Sequence, residues 1–476
     1  VTKGFLSTLK THPLALILSL FFGLQLFHIL LVPVWGSSEA REAHVIWSIL
    51  HGDHFFYPSR NGIVPSKPPL FHWIGTFVGF CFQSSSIWIP RLVSLLSSIG
   101  VLFLTFSLTK IYSKKSEESE IEQNSTAYLA VVILLTSWIF FAQTVDAKVD
   151  MLLCFWIIAA TYVGTSALFT KKLSIITGFL CSLLSAAAIL TKGPLAVVII
   201  ALFGLITFFE QQEKSWKIFF QLIGYSIVGV CLASVWYLLG VSNDGFIERH
   251  LFLENITRLI GSEKMNKEAP WFYLISVQRT FFPWIFVLYF LLYKKQKRHV
   301  GIDCFFVLLL LLSLAAGKRH SYILPAAPLF ACGLAVMLTK AKYFNSKIFE
   351  KYQKSFLICL VGIILLTTSG MYIKAISRNY PLLASSLAQH TKDQQIVVVK
   401  EWWDESFDVV LYLLQKRVVV LTPDAFPEFR KNHPLDQSYC LVNNPLTNMF
   451  QKESPVAQWE KPTKIFLFRC SSATES

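Results

Sequence analysis

At positions 151–169 the chain reads MLLCFWIIAATYVGTSALF, a run without a single charge, and Val149-Asp150 stands directly before it. A helix rises about 1.5 Å per residue, so a run of this length nearly crosses the roughly 30 Å hydrocarbon core of a bilayer. A carboxylate is tolerated at the mouth of such a helix, where water is near, but not along it. Comparable runs occupy 13–34, 90–111, 126–143, 173–191, 218–240, 272–293, 320–339 and 355–374, with shorter ones near 195–209 and 302–316. The chain therefore reads as an α-helical multi-pass membrane protein with about eleven transmembrane helices. Composition agrees: of 476 residues, 54% are hydrophobic and only 15% charged, more apolar surface than a soluble domain can use. No small-residue cleavage site follows the run 13–34, which is expected to be a retained span.

The net charge of +14 does not indicate nucleic acid, because the basic residues fall in short clusters between apolar runs. Clusters at Lys110, Lys114 and Lys115, at Lys171 and Lys172, at Lys214 and Lys217, at Lys294 to Arg298, and from Lys340 to Lys354 are all expected on the cytoplasmic side. They share one side only if the segment 69–84, which carries His72 and follows two prolines, does not cross. That arrangement places the N-terminus inside and residues 375–476 outside, in an inner (plasma) membrane. It also gathers 35–68, 143–150, 191–194, 241–270 and 317–320 on the external face. Arg41, Lys67, Lys192, Arg258, Lys318 and Arg319 then lie where the positive-inside bias disfavours them, and an anionic ligand is the simplest reason. Arg279, about 12 Å of helix inside the run 272–293, either touches such a ligand or pairs with a neighbouring helix.

These segments carry a pattern. Ser38-Glu39-Ala40-Arg41, Lys67-Pro68-Pro69-Leu70, Val149-Asp150-Met151-Leu152-Leu153, Leu190-Thr191-Lys192-Gly193-Pro194, Phe282-Pro283-Trp284 and Gly317-Lys318-Arg319-His320-Ser321-Tyr322-Ile323-Leu324-Pro325 occur in order. Over residues 13 to 374 this resembles the GT-C glycosyltransferases, and most closely the bacterial group of the protein O-mannosyltransferase superfamily that includes the aminoarabinose transferase of lipid A. The resemblance implies a GT-C-like fold and transfer of a sugar from a polyprenyl-phosphate carrier to an acceptor on the non-cytoplasmic face. The family usually places Asp before Glu-x-Arg, and here that position is Ser38. The base is therefore assigned to Glu39, with Asp150 as the second carboxylate. Substrate-binding candidates are Arg41, Lys67, Lys192, Arg258, Lys318, Arg319, His320 and Tyr322. Arg258 matches the family's pattern in its loop.

Each residue also has a plainer reading. Glu39 suits the first turn of a helix 40–51, Asp150 the N-terminus of its span, and Lys67 the membrane interface. His44, Trp47 and His51 are expected on the interfacial face of that amphipathic helix rather than at a metal. A divalent metal has no support in ligand spacing. The two prolines after Lys67 hold the chain extended and restrict where its ammonium points.

Residues 375–476 change character and form a second domain after the transmembrane domain 1–374. Ile396 to Lys400, Arg417 to Leu421, Tyr439 to Val442 and Lys464 to Arg469 read as strands, and Phe407 to Gln415 as an amphipathic helix, giving a small extracytoplasmic α/β domain. Seven cysteines sit in or beside apolar runs and read as packing residues. Cys440 and Cys470 lie in the outer domain and either pair or stay as buried thiols.

The activity this implies is an inverting glycosyltransferase whose donor is a polyprenyl-phosphate-linked sugar and whose acceptor is a lipid, a protein or a glycan. The alternative is a transporter or flippase for an anionic lipid-linked substrate. Such folds show internal repeats and broken helices near the midplane, and no repeat is visible here.

Overall fold

The structure is a computed structural model that describes residues 13–34, 36–114, 119–242, 246, 249–250, 256–260, 268–392, 394–400, 407–432, 438–443, 446, 455–459 and 464–470. Among them, six helices are long and apolar enough to cross a bilayer: Trp88–Lys114, Val149–Thr170, Ile175–Lys192, Trp216–Gly240, His320–Lys340 and Ile358–Thr391. The pair Phe272–Thr280 and Trp284–Tyr293 makes a seventh if counted as one broken span. Ile17–Leu31, Leu70–Cys81, Leu195–Phe209 and Val300–Ser313 are apolar but shorter. The protein is a multi-pass membrane protein in which six or seven of the apolar runs reach spanning length.

Two runs differ from their sequence reading for identifiable reasons. The run 126–143 is interrupted between helices Glu120–Leu135 and Trp138–Gln143. There the hydroxyls of Thr136 and Ser137 donate to the carbonyls of Val132 and Ile133, both at 2.7 Å, competing with the helical ladder. The run 272–293 is bent by 111° at its centre. Pro283 lacks the amide that a continuous helix needs there, and its ring obstructs the preceding turn. Arg279 thus stands beside an elbow and not deep inside a straight span.

By its contacts the chain forms two compact units, one of Val1–Ile29, Ser66–Phe71 and Arg91–Leu365, the other of Leu30–Pro65, His72–Pro90 and Leu366–Ser476. The first unit is the helical bundle. Inside a membrane every backbone group must be satisfied within the helix, and polar side chains fold back onto it for the same reason. Ser97, Thr105, Thr109 and Thr161 donate to the carbonyls four residues earlier at 2.7–2.8 Å. Helix contact then depends on small residues. A Cβ at Gly301 would run into the Leu329 carbonyl, and one at Gly229 into the Ser182 carbonyl, so helices Val300–Ser313 and Ala327–Lys340, and helices Ile175–Lys192 and Trp216–Gly240, touch backbone to backbone at these glycines. At one end of this bundle Tyr112 packs against Phe169 and His299, near the ion pairs Lys171–Glu213 and Arg298–Asp303. The opposite end carries Asp146, Asp150, Lys192 and Lys318, where Ser94 Oγ donates to the Asp146 carbonyl at 2.6 Å and fixes the turn before the span Val149–Thr170.

The second unit contains a five-stranded mixed sheet of β1 (Gln395–Val399), β2 (Val419–Leu421), β3 (Ser438–Asn443), β4 (Ala457–Trp459) and β5 (Ile465–Arg469), in the order β2-β1-β3-β5-β4. β1 pairs in parallel with β2 and β3, while β5 runs antiparallel to β3 and β4. Four of these strands were expected. β4 was not, since three residues carry no alternation to read. Valines at consecutive β1 positions serve both faces: Val398 packs with Phe407, Val410, Leu411 and Ala40, and Val397 and Val399 pack with Phe426 and Phe468. Helix Ser37–Leu50 therefore buries Ala40 and Ala43 in the same core as helix Asp408–Leu414. Cys440 and Cys470 form a disulfide across β3 and the end of β5, closing a loop of 30 residues, a crosslink worth about 3–4 kcal/mol by chain entropy.

The helix contact at Gly301 gives a direct test. Gly301→Val should lower the thermal stability of the detergent-solubilised protein by at least the 1–3 kcal/mol typical of overpacking, about as much at this site as any core insertion. A variant that melts with the wild type would contradict the close approach of these two helices.

Candidate functional site

The end of the bundle holding the motifs that the charge bias places on the external face is built from helix termini. Gly193, at φ 103°, adopts a backbone conformation that side-chain-bearing residues resist, and its amide bonds to the Ile189 carbonyl at 2.7 Å. Helix Ile175–Lys192 therefore stops directly after Lys192, and the next begins at Leu195. Asp150 lies in the first turn of Val149–Thr170. A carboxylate at a helix N-terminus and an ammonium at a helix C-terminus are each favoured by the helix dipole. Here they meet: Lys192 Nζ and Asp150 Oδ1 form an ion pair with side chains only 16% and 10% exposed. Lys192 Nζ also lies 4.4 Å from the centre of the Tyr322 ring. The charges of Lys148 and Lys67 act on Asp150 as well, although Lys148 is itself paired with Asp146 at 2.7 Å.

The segment 317–322 lines the same end. Lys318 is buried and its ammonium donates to the Glu268 carbonyl at 3.0 Å. Arg319 is exposed, while its backbone carbonyl accepts from Tyr273 Oη at 3.3 Å and from the Tyr322 amide at 3.1 Å. His320 Nδ1 and Ser276 Oγ are 2.6 Å apart. Of the expected cations in this unit, Lys192 is neutralised by a carboxylate and Lys318 is spent on a carbonyl. Lys67 is partly buried and Arg319 points its charge to the surface without an ion-pair partner among the described residues. The Arg258 side chain lies outside the described residues.

In the second unit, Glu39 is 2% exposed and Ser38 is partly buried. Glu42 accepts from His72 Nε2 at 2.7 Å. Arg41 Nε is 3.9 Å from Asp408 Oδ2, and Arg60 and Lys400 approach Asp408 Oδ1 at 3.3 and 3.4 Å. Three cations thus converge on one buried carboxylate. Asp408 was not singled out in the sequence, where it is an ordinary first-turn acid of an apolar helix. Its only signal is that it begins a helix, Asp408–Leu414, whose other residues are nearly all buried. His44 and Trp47, expected at the membrane interface, are instead 2% and 4% exposed within this unit. His44, Arg60, Asn61, Lys400 and Asp408 line a cavity of about 10 Å³, room for a single water. No group of three or more metal-binding side chains comes together among the described residues.

Two predictions follow from these ion pairs and burials. Breaking a buried pair leaves an uncompensated charge, which costs about 3–5 kcal/mol. Asp150→Asn and Lys192→Met should each lower stability, and the double variant should lose clearly less than the sum; strict additivity in a thermal double-mutant cycle would contradict the pairing. Burial, and then the charge of Arg60, push the His44 imidazole from 6.5 down to about 3. The unfolded chain takes up this proton below 6.5 and the folded chain does not until about 3, so stability falls as the pH drops through that window. His44→Gln should flatten the dependence of Tm on pH there, whereas parallel curves would show that His44 is not the group responsible.

No family model matches the chain. A protein of Aquifex aeolicus that is itself uncharacterized is 27% identical over 74% of this chain and 68% of its own length. The undecaprenyl phosphate-alpha-4-amino-4-deoxy-L-arabinose arabinosyl transferase of Yersinia enterocolitica is 26% identical over 66% of this chain, but the match takes in only 57% of that enzyme. The crystal structure of ArnT from Cupriavidus metallidurans bound to undecaprenyl phosphate superposes with a TM-score of 0.72, covering 95% of this chain and 97% of that one at 14% identity. The chain therefore has the fold of the ArnT-like GT-C glycosyltransferases and is a distant relative of proteins named as aminoarabinose transferases.

Proposed function

We propose that this protein is a membrane glycosyltransferase that moves a sugar from a polyprenyl-phosphate carrier to a lipid, protein or glycan acceptor on the non-cytoplasmic face. The observation that carries this reading is the collection of cations and carboxylates at one end of a helical bundle with the ArnT fold, on motifs spread over some 250 residues of chain. A relative bound to undecaprenyl phosphate supports a carrier of the same class.

The chemistry proposed is an inverting displacement at the anomeric carbon. The bond from that carbon to the phosphate oxygen breaks as the acceptor oxygen attacks, and the acceptor proton passes to a carboxylate. Negative charge grows on the departing phosphate, so preplaced cations stabilise the transition state more than the bound donor. Glu39 is the proposed base. Lys67, whose ammonium is aimed by the two prolines after it and acts on the same end of the bundle as Asp150, and Arg319, which is exposed there, are the proposed phosphate ligands. Asp150, committed to Lys192, serves in this reading to orient that ammonium over Tyr322 and holds the second carboxylate in reserve. His320 and Arg258 belong to the surrounding substrate contacts, and Arg41 ties its helix to Asp408. If the acceptor atom is itself a phosphate oxygen, it is ionised already and needs no strong base, which would account for Ser38 in place of Asp.

A transporter is the second reading, and the broken pair at 272–293 is the one feature that favours it. Purified protein given a polyprenyl-phosphate donor with a radiolabelled sugar separates the two. A glycosyltransferase releases the carrier phosphate and labels the acceptor; a transporter leaves the donor intact. In the same assay Glu39→Gln should keep donor binding and lose about 10²–10⁴ in turnover. Full activity in Glu39→Gln together with collapse in Asp150→Asn would move the base to Asp150.

A further inference from the structure

The elbow between Phe272–Thr280 and Trp284–Tyr293 has a composition that the transfer reaction does not use. The first arm is two-faced. Tyr273, Ser276, Val277 and Thr280 are 1–6% exposed, spaced three and four residues apart, and turned into the bundle. Trp271, Leu274 and Ile275 are 60–68% exposed on the other side, and Phe282 continues that side beyond the helix. The second arm is apolar throughout and exposes Phe286, Phe290 and Tyr293. With a bend of 111° between them, a second arm that runs along the bilayer normal leaves the first closer to the membrane plane than to its normal. An amphipathic helix in that attitude lies at the headgroup boundary, its apolar face among acyl chains.

Arg279 occupies this boundary. It is exposed, it forms no ion pair among the described residues, and it lines a cavity of about 470 Å³ together with Trp138, Phe141, Gln278, Phe282 and Ile363. The walls are fixed by their own hydrogen bonds. Gln278 Nε2 donates to Tyr289 Oη at 2.6 Å across the elbow, and Trp284 Nε1 donates to Thr136 Oγ1 at 2.7 Å. A guanidinium at the edge of a bilayer calls for an anion, and none of the cavity's other lining residues supplies one.

We propose that the elbow is a binding site for an anionic phospholipid, whose phosphodiester is held by Arg279 while its acyl chains lie along the apolar face of the first arm. The charge arithmetic selects a phosphodiester over the sugar-free carrier; the sugar-loaded carrier is a phosphodiester too, and in the reading above its phosphate lies at Lys67 and Arg319. A phosphodiester bears one negative charge, which a single arginine matches through its planar fork. A carrier's phosphate monoester bears nearly two at neutral pH, and among the described lining residues there is no second cation to meet it. A zwitterionic lipid would bring an ammonium towards the guanidinium.

The test is native mass spectrometry of the full chain after equilibration in mixed micelles of phosphatidylglycerol and phosphatidylcholine, with melting temperature as the control for folding. The wild type should retain phosphatidylglycerol in preference to phosphatidylcholine, and Arg279→Gln should lose about fivefold to tenfold of that preference. Arg279→Lys, which keeps the charge without the fork, should fall between them. An unchanged preference in Arg279→Gln would overturn the proposal. So would displacement of the retained phosphatidylglycerol by an equal concentration of undecaprenyl phosphate, which would make the elbow a carrier site.

Discussion

The arrangement of the bundle's motif-bearing end depends on an ion pair between two helix termini. Asp150 begins one span and Lys192 ends another, and the two side chains are mostly buried where they meet. Neither charge is stable alone at such a place. Together they are, because each sits at the helix end whose dipole favours it and each neutralises the other. Gly193 makes the pairing possible by ending the second helix one residue later, and Ser94 holds the turn that leads into the first. Tyr322, from a third element, covers the ammonium. The pair therefore connects three of the sequence motifs into one group.

The second unit uses the same device in a different setting. Asp408 draws Arg41, Arg60 and Lys400 together, so helix Ser37–Leu50, which carries Glu39, is joined to the sheet domain by charge as well as by the packing of Ala40 and Ala43 against Leu411 and Phe407. Asp408 Oδ2 and His44 Nε2 accept or donate no hydrogen bond among the described residues, and both residues line a cavity with room for one water. An arginine that sequence reasoning places on substrate is thus already occupied in holding its own helix.

Much of the architecture was legible in the sequence because a bilayer imposes one strong rule: long uncharged runs become helices. The strands at 395–399, 419–421, 438–443 and 465–469 were readable too, since short runs of aliphatic and aromatic residues bounded by polar ones have few other uses. What escaped were features set by single residues acting against that rule. Thr136 and Ser137 break a run that hydropathy joins, and Pro283 turns a span into an elbow. The candidate site was legible as a set of residue types on one face, but not as a set of partners. Nothing local distinguishes Lys192, which finds a carboxylate 42 residues away, from Arg319, which finds none among the described residues. Asp408 lies outside every motif and was invisible for the same reason.

The central claim is that Lys67 and Arg319 hold a lipid phosphate while Lys192 serves the internal pair with Asp150. Binding of a polyprenyl phosphate without its sugar, measured by isothermal titration in detergent at low and high salt, addresses it most directly. Removing one charge-assisted contact is worth about 1.5–3 kcal/mol, roughly tenfold to a hundredfold in Kd. The account predicts that loss for Lys67→Ala and for Arg319→Ala, with a weaker salt dependence in each, and a much smaller change for Lys192→Met. Wild-type affinity in both alanine variants, with binding abolished in Lys192→Met, would contradict it.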